Sequence, residues 1–245
     1  FAGPLVALAV LAAVGSTSQA GFDAVFVTSF CFAALGVLFL GLFVRDRRGE
    51  MPPRKLPAVT LVRDARVRRL LFAAVVLGLS TIGDGFVYLL LQRREDIGVG
   101  WFPLLAVGTN LAYLLLAAPL GALADRYGRL PVVLGGYGAL IVVYLMLFGP
   151  LTGVPLLVVT LGLYGAFYAA TDGVLMALAG PILPEGLRTT GIALVQTGQS
   201  IAYFVSSVLF GLAWQFWGPA TASRIAAVVV VLAIVATVLV VRTKR

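Results

Sequence analysis

Histidine is absent from the 245 residues and cysteine occurs only once, at Cys31. The chain therefore lacks the commonest general base and the commonest metal ligand, and it cannot form an intrachain disulfide. Charge is scarce as well, because only 11% of the residues are charged, against about 25% in an ordinary soluble domain. These shortages argue against a histidine-dependent enzyme and a soluble fold. We expect no metal site and no cofactor.

Apolar residues take the place of the missing charges. They make up 61% of the chain, and the mean hydropathy is +1.05. Helices are the only open segments that satisfy their own backbone groups in lipid, so the composition predicts an all-α, polytopic membrane helix bundle. Eight apolar runs are candidate transmembrane helices: about 1–14, 23–44, 70–91, 101–123, 131–148, 154–182, 189–214 and 223–241. The first is shorter than the about 20 residues that a span needs, so we expect a fragment.

The basic residues follow a pattern that predicts orientation. Fifteen of the 18 lie in connections on one side of the predicted membrane, nine of them in the stretch 45–69. The remaining three are Arg93, Arg94 and Arg224. By the positive-inside rule, the richer side and the C-terminus face the cytoplasm, and we expect the bacterial inner membrane. This distribution explains the net charge of +8 without a nucleic-acid partner. The three tryptophans fall at span ends on the opposite side, as an interfacial belt would place them: Trp101, Trp214 and Trp217.

A charged segment separates two uncharged runs and carries a recognisable spacing. It reads Gly121-Ala-Leu-Ala-Asp-Arg-Tyr-Gly-Arg129, or G-x-L-x-D-R-x-G-R. This spacing resembles the cytoplasmic signature loop of the major facilitator superfamily of secondary transporters. One difference is that Leu130-Pro131 follows, where the family often has a further basic residue.

The resemblance also implies an organisation for the chain. Family members have twelve helices in two six-helix bundles joined by a cytoplasmic loop. Gly3-Pro4 resembles the Gly-Pro of the fifth helix, and Pro184 to Arg188 a cluster between the tenth and eleventh. Residues 1–44 then correspond to the last two helices of the N-terminal bundle, 45–69 to the basic linker, and 70–245 to the complete C-terminal bundle. The first four helices would be missing from this chain.

Two carboxylates lie well inside apolar runs, Asp84 in the third and Asp172 in the sixth. A charge at the bilayer centre costs at least about 2.5 kcal/mol, so each should face a cavity or a partner. Helical spacing places Ser80, Thr81 and Tyr88 beside Asp84, and Tyr164 and Tyr168 beside Asp172. We expect these acids to bind protons or a cationic substrate. Hydrogen bonding between helices is the structural alternative, and the neighbouring glycines could allow bending in either case.

Further polar residues are candidates for the same path. The seventh run carries a stripe at helical spacing that faces either the path or a neighbouring helix: Gln196, Gln199, Ser200, Tyr203 and Ser207. In the fourth run Asn110 and Tyr113 are three residues apart, and interhelical hydrogen bonding is the better explanation there. We include Asn110 as a weaker candidate for substrate binding.

The signature residues lie at the membrane surface, away from any cargo. The resemblance implies a gating role for Gly121, Asp125, Arg126, Gly128 and Arg129, together with Glu185 and Arg188 on the same membrane face. Asp125 could cap a helix N-terminus, and Arg126 or Arg129 could pair with Glu185. Positive-inside anchoring is the alternative for the arginines, although it gives no reason for an acid at Asp125.

The leading interpretation is a secondary transporter of a small solute, not an enzyme. We expect the transport to be coupled to protons, and export of a cationic or drug-like solute is one form that it could take. Membrane lipid is a further expected partner. No G-x-x-x-x-G-K-[ST] loop is present, so ATP hydrolysis is not supported. One alternative is a receptor or scaffold on the same fold. An intramembrane aspartyl protease is much weaker, because Thr81 stands where the G-x-G-D motif of that family has its first glycine.

Overall fold

The computed structural model describes residues 2–15, 18–44, 59–183 and 187–242, and the regular secondary structure in these ranges is all helix, with no strand in them. The all-α prediction is confirmed. A short 3₁₀ turn, Val99–Trp101, precedes α6. The helices are α1 (Ala2–Val14), α2 (Gln19–Phe43), α3 (Val59–Arg63), α4 (Ala65–Leu79), α5 (Asp84–Arg94), α6 (Phe102–Tyr127), α7 (Arg129–Met146), α8 (Gly153–Thr171), α9 (Val174–Ala179) and α10 (Arg188–Arg242).

Six helical segments among the described residues are long and apolar enough to cross a membrane. The last of them, Arg188–Val240, has 53 residues and would be about 80 Å long if straight, far more than the about 30 Å of hydrocarbon. It bends at Gly218, whose φ of 79° and ψ of 164° are not helical. Residues from both sides of this bend line one groove, so α10 is two antiparallel spans. The seventh and eighth predicted runs are these two halves.

The third and sixth predicted runs each correspond to one apolar segment long enough to span a membrane, but a helix break interrupts both. The third divides into α4 and α5 between Leu79 and Asp84, and the sixth into α8 and α9 at Asp172 and Gly173. Gly173 has a φ of 69°, which disfavours any residue with a Cβ atom. Both acids selected from the sequence therefore stand at helix breaks. The linker residues 45–58 lie outside the described ranges, and α4 already begins at Ala65.

Helix packing brings the two breaks into one bundle. The most extensive contacts join α4 to α10 and α6 to α8, and α7 packs against both α8 and α10. Gly165 allows the close approach of α8 to α6, because a Cβ atom at that position would lie 2.7 Å from the Thr109 carbonyl oxygen. The centre of the bundle is aromatic as well as aliphatic, since Tyr137, Tyr144 and Tyr164 are among its largest fully buried side chains.

The two ends of the bundle differ in chemistry. We call the end that carries Arg66, Arg69, Arg126 and Arg129 the basic face, and the end that carries Trp101, Trp214 and Trp217 the tryptophan face. Trp101 and Trp217 are 59% and 63% exposed, as interfacial anchors would be. The Arg93 guanidinium lies 5.4 Å from the Trp214 ring centre, so the end of α5 meets the first half of α10 at that face.

Arg94 and Glu95 tie three helix ends together at the tryptophan face. The Arg94 guanidinium donates to the carbonyl oxygens of Met146, Gly149 and Leu151, at 2.8, 2.5 and 2.7 Å. Glu95 Oε2 accepts from the Gly153 backbone N–H at the start of α8, at 2.6 Å. These bonds fix the connection between α7 and α8 to the end of α5. The sequence indicated no such role for Arg94, which entered only as one of the three basic residues on the poorer side of the predicted membrane.

Arg94→Gln is expected to destabilise the protein by about 1–3 kcal/mol, because three carbonyl groups lose a charge-assisted donor. The measurement is the thermal unfolding midpoint of the full-length protein in detergent. Arg93→Gln is the matched control, since it removes the same charge from the same helix turn but only a ring contact. Equal midpoints for the two variants would contradict this role for Arg94.

Candidate functional site

Asp84 is the first residue of α5, and the break before it is held by side chains. Ser80 Oγ and Thr81 Oγ1 donate back to the Leu77 carbonyl oxygen, at 2.7 and 3.1 Å, which ends α4. Gly83 then precedes α5 as an N-cap without a side-chain bond. The Ile82 backbone N–H, freed by the break, donates to the Tyr144 hydroxyl at 3.0 Å. A buried break of this kind is stable because its backbone groups find side-chain partners.

The Asp84 carboxylate collects three tyrosine hydroxyls on one oxygen. Oδ1 accepts from Tyr164 at 2.8 Å, from Tyr203 at 3.0 Å, and from Tyr168. The Tyr203 hydroxyl also accepts the Asp84 backbone N–H, at 3.2 Å. The carboxylate lies at a helix N-terminus, where the dipole favours negative charge. The carboxyl group thus has three hydroxyl donors at a helix N-terminus, and among the described residues no basic side chain forms a salt bridge with it.

Asp172 occupies the other break and has a different environment. It follows the last residue of α8, and its backbone N–H donates to the Tyr168 carbonyl oxygen at 2.7 Å. Its own carbonyl oxygen accepts the Val174 N–H, also at 2.7 Å, which starts α9. The side chain is exposed, unlike that of Asp84. Asp172 can therefore meet a solute directly.

A cavity of about 570 Å³ joins the two breaks. This volume falls within the range of about 300–1,000 Å³ that small-molecule sites occupy. The walls come from α4, α7, α8, α9 and α10, and they combine aromatic, amide, hydroxyl and carboxylate groups. The lining residues are Gly78, Thr81, Tyr137, Phe167, Tyr168, Thr171, Asp172, Gly173, Met176, Gln196, Gln199, Ser200 and Tyr203.

Asp84 lies behind this cavity rather than in its wall. Two of the three hydroxyls that bind the carboxylate belong to Tyr168 and Tyr203, and both of these residues line the cavity. Any group that enters the cavity is thus one tyrosine away from the half-buried Asp84 carboxyl group. The arrangement has two layers, an exposed acid at Asp172 and a screened acid at Asp84.

The structure brings most of the predicted residues together, though not in the predicted pairs. Tyr168, Gln196, Gln199 and Asp172 line one cavity. Tyr164 and Tyr168, placed on the same helical side as Asp172 by their spacing, bond through their hydroxyls to Asp84, a contact that the spacing did not indicate. The reason is that the spacing argument works along one helix, whereas these hydroxyls reach across to α5.

Two predicted residues lie elsewhere. Tyr88 is 7% exposed and packs edge-on against the Phe102 and Tyr164 rings, at centroid distances of 6.1 and 6.2 Å. Asn110 lies on α6, which contributes nothing to the lining of this cavity. Binding roles for both stay predictions. Sequence reasoning missed Tyr144, which supports the break before Asp84 from an uncharged run that offered no signal.

The signature segment is mostly helix. α6 continues to Tyr127, Gly128 alone makes the turn with a φ of 97°, and α7 begins at Arg129. Asp125 therefore sits in the last turn of α6, and Gly128 is the N-cap of α7, so the capping prediction for Asp125 was wrong. Glu185, the predicted partner of the arginines, lies outside the described residues, whereas Arg188 is described and is exposed at the start of α10.

Arg129 connects the signature segment to the helix beside the cavity. Its guanidinium donates to the Ala177 carbonyl oxygen on α9 at 2.5 Å, and it lies 3.9 Å from the Asp125 carboxylate. Arg126 lies 5.3 Å from the ring centre of its neighbour Tyr127. The signature segment thus contacts α9 through Arg129, and α9 supplies Met176 to the cavity wall.

Comparison with known proteins bears on this arrangement. The family model described as Major Facilitator Superfamily matches residues 94–245, well over half of the chain. The match includes the signature segment, Asp172 and the three tyrosines that bind Asp84, but Asp84 itself precedes it. No curated protein and no solved structure gives a significant match. This chain belongs to the Major Facilitator Superfamily, whose members are integral, multi-pass membrane transporters of small molecules.

Proposed function

We propose that the protein is a proton-coupled secondary transporter that works by alternating access. The observation that carries this proposal is the Asp84 carboxylate, held inside the membrane by three tyrosine hydroxyls directly behind a polar cavity. When this carboxylate binds a proton it loses its negative charge. Its hydrogen bonds to the tyrosine hydroxyls of α8 and α10 then change as well. Such a change can bias two arrangements of packed helices, which is what coupling requires.

The cavity favours a cationic or protonatable solute. Asp172 presents an exposed carboxylate, and the rings of Tyr137, Phe167 and Tyr168 offer faces for cation–π contacts. Gln196 and Gln199 add amides that can orient polar groups. Among the described residues no Lys or Arg lines this cavity, so an anionic solute would lack a charged partner from this part of the chain.

Orientation follows from the charge distribution. The basic face carries arginines of α4, α6 and α7, and the positive-inside rule places it in the cytoplasm, together with the C-terminus. In a bacterium the membrane would be the inner one. The bond from Arg129 to Ala177 then lies at the cytoplasmic gate and holds α9 when that gate is closed.

The exposed side of the cavity is where a second bundle would complete the transport path. Asp172, Gln196 and Ser200 are all exposed in the described part of the chain. Transporters of this type bind substrate near the midplane, between two bundles that rock about the site. We assign α1 and α2 to that second bundle and residues 45–69 to the linker, while Asn110 and Tyr88 stay secondary candidates on the C-terminal bundle.

The test is proton movement in liposomes that contain the full-length protein. An internal pH dye is followed while organic cations are added in turn, with and without an imposed pH gradient. Proton flux that depends on one of these solutes supports the proposal. If no solute moves protons and the gradient changes no uptake, a receptor or scaffold on the same fold becomes the better explanation.

Asp172→Asn is expected to raise the KM for a cationic solute about tenfold, the effect of losing roughly 1.4 kcal/mol of charge interaction. Coupled proton flux at saturating solute should persist, because Asp84 and its tyrosines are unchanged. Initial rates across a solute concentration series in the same liposomes give both values. An unchanged KM would remove Asp172 from the binding site.

A further inference from the structure

A second cavity opens at the basic face, separate from the one beside Asp172. It has a volume of about 240 Å³ and is walled by α4, α7, α9 and the second half of α10. No residue in the described part of the chain lines both cavities. The six-residue helix α9 divides them, because Leu175 and Leu178 line this cavity whereas Met176 lines the other.

The walls are apolar and the mouth is cationic. Leu70, Ala73 and Leu77 line the cavity from α4, with Leu130 and Val133 opposite them on α7. Arg66 and Arg69 line it from the first turns of α4. Arg66 lies about one helical turn before Leu70, and Arg69 lies directly before it. Two guanidinium groups above an apolar wall match a molecule with an anionic head and a hydrocarbon tail.

A buried hydroxyl supplies an independent observation. Thr237 lines the same cavity, its side chain is 0% exposed, and its Oγ1 has no hydrogen-bond partner among the described residues. An unpaired buried hydroxyl costs about 1–3 kcal/mol. Thr237 stands five residues before the end of α10, about 7 Å along the helix from that end at 1.5 Å per residue. Arg69 stands at a similar distance from the start of α4.

The size of the cavity limits which ligands can fit. A volume of about 240 Å³ is below the about 300–1,000 Å³ of sites for drug-sized molecules. It suits part of one acyl chain. Anionic lipids concentrate at cytoplasmic surfaces that carry juxtamembrane arginines. The head group would meet both guanidiniums, and the ester oxygens would lie at the depth of Thr237.

We propose that this cavity binds one acyl chain of an anionic phospholipid from the cytoplasmic leaflet, with Arg66 and Arg69 on the phosphate and Thr237 on an ester oxygen. The proposal does not depend on the transport reaction proposed above. It uses a different cavity, different charged residues and a different class of ligand.

The test is thermal unfolding of the full-length protein in detergent with increasing phosphatidylglycerol. The unfolding temperature of the wild type is expected to rise with this lipid, because a ligand that binds only the folded state stabilises it. The double variant Arg66→Gln/Arg69→Gln should need about tenfold more lipid for the same rise. Arg68→Gln is the matched control, since Arg68 lies on the same helix, is exposed and does not line the cavity. It should respond as the wild type does.

Thr237→Val keeps the test decisive if the double variant does not fold. Its unfolding temperature without lipid should not fall, because an unpaired hydroxyl is removed, yet it should need several-fold more phosphatidylglycerol. Phosphatidylcholine and inorganic phosphate complete the experiment. The proposal would be overturned if phosphatidylcholine or inorganic phosphate raised the unfolding temperature as much as phosphatidylglycerol does. It would also be overturned if the double variant and Thr237→Val responded to phosphatidylglycerol as the wild type does.

Discussion

Asp84→Asn is expected to reduce solute-driven proton flux roughly tenfold or more, while the protein still folds. The amide keeps the shape of the side chain, and its oxygen can still accept the hydroxyls of Tyr164, Tyr168 and Tyr203. It cannot carry the negative charge or release a proton. A single charge-assisted hydrogen bond contributes about 1.5–3 kcal/mol, so the loss should exceed one order of magnitude. The measurement is the internal pH of liposomes after addition of the transported solute.

Asp96→Asn is the control for this substitution. Asp96 is an exposed loop residue with a φ of 50°, and asparagine tolerates that left-handed conformation well. The same chemical change there should leave proton flux at the wild-type level. Asp84 would be reduced to a packing residue if Asp84→Asn moved protons as fast as this control.

Gly165→Ala is expected to destabilise the bundle by about 1–3 kcal/mol, the usual cost of overpacking a tight contact. The added Cβ atom would lie 2.5 Å from the Ala112 Cβ atom, 2.7 Å from the Thr109 carbonyl oxygen and 2.8 Å from the Tyr113 nitrogen. Two of these atoms are backbone, so α6 and α8 must separate. Because α8 also carries Tyr164 and Tyr168, proton flux should fall together with stability. Thermal unfolding midpoints in detergent measure the loss of stability.

Gly162→Ala, one turn earlier on the same helix, is the matched substitution. Nothing lies within 4 Å of a Cβ atom built at that position. Alanine favours a helix by about 0.8–1.0 kcal/mol over glycine, so this variant should be as stable as the wild type or more stable. A loss of stability at Gly162 equal to that at Gly165 would show that helix contact is not the cause.

The features that were predictable from sequence are those in which single residues contrast with their surroundings. Asp84 and Asp172 were visible because a carboxylate inside an apolar run is costly and therefore stands out. The signature segment was visible because charge and glycine interrupt two uncharged runs. The all-α membrane fold followed from hydropathy alone, since lipid leaves the backbone few options.

The contacts between helices could not be predicted from single residues in the sequence. Tyr164 and Tyr203 are 80 and 119 residues from Asp84, and no local spacing links them. The break before Asp84 was also hidden, because Ser80-Thr81-Ile82-Gly83 reads as part of one apolar run. Local hydroxyl bonds to Leu77 and the distant Tyr144 hydroxyl stabilise that break, and the second of these depends on packing between helices. Sequence periodicity describes one helix at a time, so it placed Tyr164 and Tyr168 on the side of Asp172 and gave no sign of their bonds to Asp84.

The bend at Gly218 has a consequence for mapping this protein in cells. The two halves of α10 follow one another with Gly218 as the only residue of non-helical conformation, so Trp217–Pro219 offers proteases and antibodies no flexible segment. An epitope inserted there would force apart two helix halves that line one groove beside the bend. On the same face, Asp96 and Gly98 are exposed in the connection between α5 and the 3₁₀ turn, whereas the connection between α7 and α8 is held by Arg94. Tags and labelling cysteines intended to report the tryptophan face belong at Asp96 and Gly98.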